Sequence, residues 1–230
     1  MMLSLASPIT EFPGITENSD FLGIGAGEAS TGTTLLACEY KDGVLLAADC
    51  RTSHGSLVVN RETDKLTPVS DKILCCRSGS AADTQAIAKA IRYNLDMYNV
   101  MMGETAPVET VAHLFKSICY EYRDSLTAGI LVGGWDKIRG GQVYSIPLGG
   151  MCVRQAYASG GSGSVYLHAF MSANYKEGMN KEDCKKMLIR GIASAVEFDG
   201  SSGGSCRWAS ITKDGIEKGV VLYDELPTIR

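Results

Sequence analysis

The sequence predicts an α+β fold, a four-layer α-β-β-α sandwich of two antiparallel sheets. Three observations carry this. Strands arrive in hairpins rather than in strand–helix–strand crossovers, which favours antiparallel pairing. Two Asp-Gly turns, Asp42-Gly43 and Asp214-Gly215, sit between apolar runs. Helical periodicity recurs in two blocks, so two helix pairs must each cover a sheet face. With 230 residues, 45% of them hydrophobic and 21% charged, the chain can bury one sizeable core.

Order begins at Thr33. Residues 33–40 read as a strand, Lys41-Asp42-Gly43 as a turn and Val44–Asp49 as the paired strand. Short strands follow at 55–60 and 73–77. Ser80 is a helix N-cap with Asp83 in the first turn. Ile87, Ile91, Leu95, Tyr98 and Met102 keep helical spacing until Gly103. Pro107 opens a second helix with Val111, Leu114, Phe115, Ile118, Tyr122 and Leu126 on one face. Strands return at Gly129–Trp135, Gln142–Pro147 and Val153–Ala158. A third helix is expected near 163–178. A fourth carries Cys184, Met187, Leu188, Ile192, Ala195 and Val196. Strands Cys206–Thr212 and Glu217–Tyr223 close the chain.

Residues 1–32 differ from the rest. They hold Glu11, Glu17, Asp20 and Glu28 and no Lys or Arg. Of the 26 acidic residues this leaves 22 in 33–230, against 22 basic ones. A chain starting at Thr33 is therefore formally neutral, which favours association. The acidic leader fits neither a secretory nor a mitochondrial signal. The net charge of −4 comes with no basic stripe, which argues against nucleic-acid binding. No apolar run approaches the roughly 18 residues of a membrane helix. The eight cysteines form no CxxC pair and are expected as free buried thiols of an intracellular protein.

Several motifs exclude more than they assign. Gly23-Ile24-Gly25-Ala26-Gly27 lacks the strand and helix that a dinucleotide turn needs. Gly160-Gly161-Ser162-Gly163-Ser164 has no P-loop lysine. Gly200-Ser201-Ser202-Gly203-Gly204 matches G-x-S-x-G, but no histidine follows it. His54, His113 and His168 show no metal spacing and read as surface or core residues. No metal or organic cofactor is expected.

The informative constellation lies at the head of the first strand. Ser30-Thr31-Gly32-Thr33-Thr34 ends the leader, Asp49 ends the paired strand, and Lys65 follows in a charged stretch. A threonine hydroxyl is a weak nucleophile and needs a base beside it. Cutting the Gly32–Thr33 bond creates an α-amine on the same residue, with an ordinary pKa of about 7.7–8.0. A nearby Lys65 ammonium lowers that value, and Asp49 holds the ammonium in place. Gly32 is expected to permit a strained backbone at the bond to be cut.

Six motifs carry a family resemblance: Thr-Gly-Thr-Thr at 31–34, Ala-Asp-Cys-Arg-Thr at 48–52, Thr-Asp-Lys-Leu at 63–66, Arg-Ser-Gly-Ser-Ala-Ala-Asp at 77–83, Gly-Gly-Ser-Gly-Ser at 160–164 and Asp-Gly-Ser-Ser-Gly-Gly at 199–204. Across nearly all of 30–226 the chain resembles catalytic β subunits of the eukaryotic 20S proteasome, which are N-terminal-nucleophile hydrolases. The resemblance implies a propeptide at 1–32, a single catalytic domain at 33–230 and self-cleavage at Gly32–Thr33. It implies Thr33 as nucleophile and, once freed, as base through its amine, with Asp49 and Lys65 tuning it. It further implies Gly79 as oxyanion donor and Ser162, Asp199 and Ser202 as a network around the amine. Stacked seven-membered α and β rings, polypeptide substrates, unfolded or ubiquitin-targeted, and a cytoplasmic and nuclear location are implied as well.

Among these subunits the caspase-like kind is matched best, through Thr63-Asp-Lys-Leu-Thr-Pro and Cys75-Cys-Arg-Ser-Gly-Ser-Ala-Ala-Asp-Thr-Gln. Arg77 then lies at the base of the S1 pocket and selects an acidic P1 side chain. The same resemblance implies that Thr52, Thr63, Thr67, Ala81 and Gln85 line that pocket. His54 departs from the small hydroxyl residue expected there. Two rivals remain: a structural β subunit without catalysis, and an amidohydrolase of small amides whose carboxylate Arg77 would hold.

Overall fold

The computed structural model describes residues 32–54 and 57–228. Among these residues, twelve strands and four helices alternate in blocks: β1 (Leu35–Tyr40), β2 (Gly43–Asp49), β3 (Thr52–His54), β4 (Leu57–Asn60), β5 (Leu66–Ser70), β6 (Ile73–Gly79), α1 (Ala81–Met102), α2 (Val108–Glu121), β7 (Ala128–Asp136), β8 (Gly140–Ile146), β9 (Val153–Arg154), β10 (Tyr157–Gly160), α3 (His168–Asn174), α4 (Lys181–Phe198), β11 (Cys206–Thr212) and β12 (Gly215–Val221). One five-stranded sheet runs β10-β1-β2-β11-β12 and the other β5-β6-β7-β8-β9. Strands β3 and β4 form a separate ribbon. Every pairing among the described residues is antiparallel.

Strand alternation builds the layers. Leu35 and Ala37 of β1, with Val44, Leu46 and Ala48 of β2, face the seam between the sheets, where they meet Leu74, Leu131 and Val143. Their neighbours Leu36, Cys38, Leu45 and Ala47 face the opposite way, onto Cys184, Leu188 and Ile192 of α4. On the far side, Ile87, Ile91 and Leu95 of α1 and Val111 and Phe115 of α2 cover the second sheet. The expected α-β-β-α sandwich is therefore present, with three apolar seams.

Helix α1 starts as its sequence signals. The Ser80 side chain accepts from the Asp83 N–H at 3.3 Å, and Gly103 closes the helix with φ of +71°. Ser80→Ala should lower stability by about 1 kcal/mol, read as a lower urea midpoint with unchanged slope.

Six elements differ from the sequence reading, the first being β3 at Thr52–His54, where no strand was expected. Strand β5, for which the sequence reading assigned no strand, contains Pro68. It is the edge of its sheet and bulges between Pro68 and Ser70, where a missing N–H is tolerated. The expected strand 153–158 is two strands in different sheets. Gln155 N–H bonds to Val143 O and Glu39 N–H to Ala156 O, so the chain leaves one sheet and joins the other across these residues. Helix α2 ends at Glu121, and Leu126 reaches the same core from the following turn. The helix expected over 163–178 is a 3-10 turn at Ser162–Tyr166 followed by the short α3. The last strand stops at Val221, and Tyr223 begins a 3-10 turn.

Six of the eight cysteines are free thiols, five of them buried and Cys152 half-buried. Cys38 and Cys184 instead form a disulfide across 146 residues. Strand alternation turns Cys38 toward α4, whose buried stripe begins with Cys184, so one apolar layer brings both sulfurs together.

Candidate active site

Four chain segments converge at the end of β1. The β2 strand brings Asp49, the segment leading into β5 brings Lys65, the turn after β10 brings Ser162, and the loop after α4 brings Asp199 and Ser202. Thr33 and Lys65 are almost fully buried, and Asp49 has no exposed surface.

Asp49 and Lys65 are a buried ion pair whose hydrogen-bonding capacity is filled. The Lys65 ammonium donates to Asp49 Oδ1 at 2.7 Å, to Thr33 Oγ1 at 3.0 Å and to Gly32 O at 3.2 Å, which uses its three donors. Asp49 Oδ1 also accepts from the Thr34 N–H at 2.9 Å. Its Oδ2 accepts from the backbone N–H groups of Gly203 at 3.0 Å and Arg51 at 3.2 Å. Without these partners a buried carboxylate would be costly. Burial pushes the Lys65 pKa below its ordinary value, and the Asp49 charge opposes that shift.

The bond between Gly32 and Thr33 lies within this cluster. Thr33 Oγ1 donates to Gly32 O at 2.7 Å, which sets the hydroxyl beside the carbonyl it would attack. The requirement at Gly32 is space, because a Cβ at 32 would stand 1.9 Å from the Ser201 Cβ.

On the other side of Thr33 its N–H donates to Ser162 Oγ at 3.1 Å. Ser162 and Ser202 both donate to Asp199 Oδ2 at 2.7 Å, and the Ser201 N–H donates to Oδ1 at 3.0 Å. Gly79 ends β6 with φ of +96° and lines a groove of about 1070 Å³ together with Thr127, Gly161, Ser162 and Met151. Arg77 lies away from that groove. Its Nε donates to Thr67 Oγ1 at 2.8 Å, and its terminal nitrogens reach Asp64 O and Thr84 Oγ1. All these partners are neutral. No salt bridge cancels the guanidinium charge among the described residues.

Thr52 and Thr63 share a hydrogen bond of 2.7 Å. Ala81 and Gln85 lie on the first turns of α1, with Gln85 exposed. The His54 side chain lies outside the described residues, as does the segment 23–27. His113 and His168 are surface residues. Thr34, Arg51, Gly203 and Thr84 lie within the quoted motifs but received no role there, because their contributions depend on contacts no local pattern encodes. Burial pushes the Cys75 and Cys119 thiols up to about 12 and about 11, which leaves them poor nucleophiles.

The layered sandwich with Thr33 at the head of its inner strand is the N-terminal-nucleophile hydrolase fold. The proteasome subunit family model matches residues 29–211, and the chain belongs to that family as a β-type subunit. It is 48% identical over 209 residues to the probable proteasome subunit beta type-1 of Schizosaccharomyces pombe, covering 91% of this chain and 92% of that one. It is 48% identical over 199 residues to proteasome subunit beta type-1 of Saccharomyces cerevisiae, covering 86% and 92%. It is 46% identical over 201 residues to proteasome subunit beta type-9 of Rattus norvegicus, covering 87% and 91%.

Proposed function

We propose that this chain is a catalytic, caspase-like threonine endopeptidase subunit of the proteasome core particle. Residues 1–32 are its propeptide and 33–230 its catalytic domain. The observation that carries the reading is the contact set joining Thr33 Oγ1, Gly32 O and Lys65 Nζ beside the buried Asp49.

In self-processing, Thr33 Oγ bonds to the Gly32 carbonyl carbon and the C–N bond breaks. The nitrogen takes up the hydroxyl proton, which leaves an ester on Oγ. Water then hydrolyses this ester and releases the leader. Lys65 supplies positive charge at the carbonyl where negative charge develops. In peptide cleavage the freed amine receives the hydroxyl proton, directly or through water, and the same acyl chemistry repeats on substrate. Gly79 provides the backbone N–H for the oxyanion, while Ser162, Asp199 and Ser202 hold the amine.

Substrates are unfolded or ubiquitin-targeted polypeptides cut after Glu or Asp. Thr52, Thr63, Thr67, Ala81 and Gln85 line the pocket that ends at Arg77, whose uncancelled charge favours an acidic P1 group. The chain works within rings of other β and α subunits in the cytoplasm and nucleus. The discriminating measurement is N-terminal sequencing of the assembled subunit, with Thr33 expected first, followed by turnover of a Glu-terminated fluorogenic peptide. An intact leader without that turnover identifies a structural subunit instead. Arg77→Glu should lower kcat/KM for the Glu-terminated peptide about a hundredfold and raise it for a Lys-terminated one.

A further inference from the structure

We propose that Thr34 is a positioning residue for the Thr33 amine, acting through Ser202 and Asp199, a role that rests on the reading of Thr33 as nucleophile. Thr34 is a polar side chain with no exposed surface, so it does not meet substrate directly. Its Oγ1 lies 2.6 Å from Ser202 Oγ, and its N–H donates to Asp49. It is thus bonded to both halves of the site.

Proton counting gives these bonds a direction. A serine hydroxyl has one proton to donate. Ser202 spends its proton on Asp199 Oδ2, so the proton between Thr34 and Ser202 belongs to Thr34. Ser162 likewise donates to Asp199 Oδ2 and accepts from the Thr33 N–H. Two relays therefore converge on one carboxylate oxygen. One starts at the Thr33 nitrogen and the other at the Thr34 hydroxyl.

Asp199 caps the C-terminus of α4, where the helix dipole disfavours a negative charge. Hydroxyl donors offset that penalty. The Thr34 donation polarises Ser202 and strengthens its bond to Asp199, which spreads the carboxylate charge. Gly163 confines the Thr34 hydroxyl, since a Cβ there would fall 1.9 Å from Oγ1. The charged groups facing Thr33 are Asp49 from β2, Lys65 before β5 and Asp199 after α4. Losing the Thr34 donor leaves more negative charge on Asp199. The amine then holds its proton more tightly and is a poorer base at a given pH.

The test uses assembled particles in which Thr33 is first in the chain, by self-processing or from a cleavable fusion replacing residues 1–32, as verified by mass. Thr34→Val should lower kcat for the Glu-terminated peptide about threefold at pH values below the acidic limb and change KM less than about twofold. The acidic limb of the kcat/KM profile should move up by about half a pH unit. Thr34→Ser should retain the wild-type profile. An unmoved limb in Thr34→Val, or equal damage in Thr34→Ser, overturns the role. Thr34→Ala takes the place of valine if the valine chain does not assemble. Wild-type turnover that is independent of Thr33 sinks the nucleophile reading itself, whereas Thr33-dependent turnover with an unmoved limb sinks only the role of Thr34.

Discussion

Thr33→Ala should leave residues 1–32 attached and reduce cleavage after acidic residues by on the order of a thousandfold or more. In the proposed mechanism the hydroxyl attacks both Gly32 and the substrate. One atom is therefore removed from two reactions. Thr33 is nearly buried and its Oγ1 serves Lys65 and Gly32 O, so the alanine chain loses contacts at one point while the surrounding sheet stays intact. Intact-mass measurement of the subunit in purified particles checks the first reaction, and a Glu-terminated peptide checks the second. A mature chain that begins at the substituted position, or undiminished acidic-site cleavage assigned to this subunit, contradicts the mechanism.

Lys65→Ala should be nearly as damaging and should also destabilise the chain. It leaves Asp49 charged, buried and without its ammonium, and breaking a buried pair from one side costs about 3–5 kcal/mol. Asp49 keeps its three backbone N–H donors, which limits the loss to the lower part of that range. Processing at Gly32 should fail because the charge at the carbonyl is gone. Asp49→Asn is the second variant: it preserves shape, leaves Lys65 without a counter-charge, and should lower both activity and thermal midpoint. Burial holds the wild-type Lys65 pKa below its ordinary value, so its proton is lost earlier as pH rises. The alkaline limb of activity should accordingly fall below the ordinary lysine pKa of about 10.4. Normal processing in Lys65→Ala at full stability would remove Lys65 from the site.

Much of this was legible in the sequence for identifiable reasons. Asp42-Gly43 and Asp214-Gly215 mark hairpins because tight two-strand turns demand such residues, and both hairpins are present. Ser80 and Gly103 bracket α1 because capping is local chemistry. The failures lie where distant parts decide. Pro68 is tolerated only because β5 has no neighbour on one side. The run 153–158 looks continuous, yet its halves pair with β8 and β1, and no periodicity announces the change of partner. Cys38 and Cys184 meet through a layer contact invisible to spacing. At the site, Thr33, Asp49 and Lys65 were readable through their motifs, as were Ser162, Asp199 and Ser202. Thr34 and Arg51 were not, since their value lies in bonds to those residues. Gly32 was singled out for backbone freedom, whereas its need for space beside Ser201 comes from a contact across the chain that no local pattern announces.

The placement of β1 between β2 and β10 has a temporal consequence. Thr33 precedes the strand that must zip onto residues 43–49 and 157–160, and its partners extend to Ser202. A ribosome that has delivered Thr33 must still add about three-quarters of the 230 residues before Ser202 emerges, and pairings this remote close slowly. The cluster around Thr33 thus carries its own delay: a half-made chain holds the threonine without the serine that completes its surroundings.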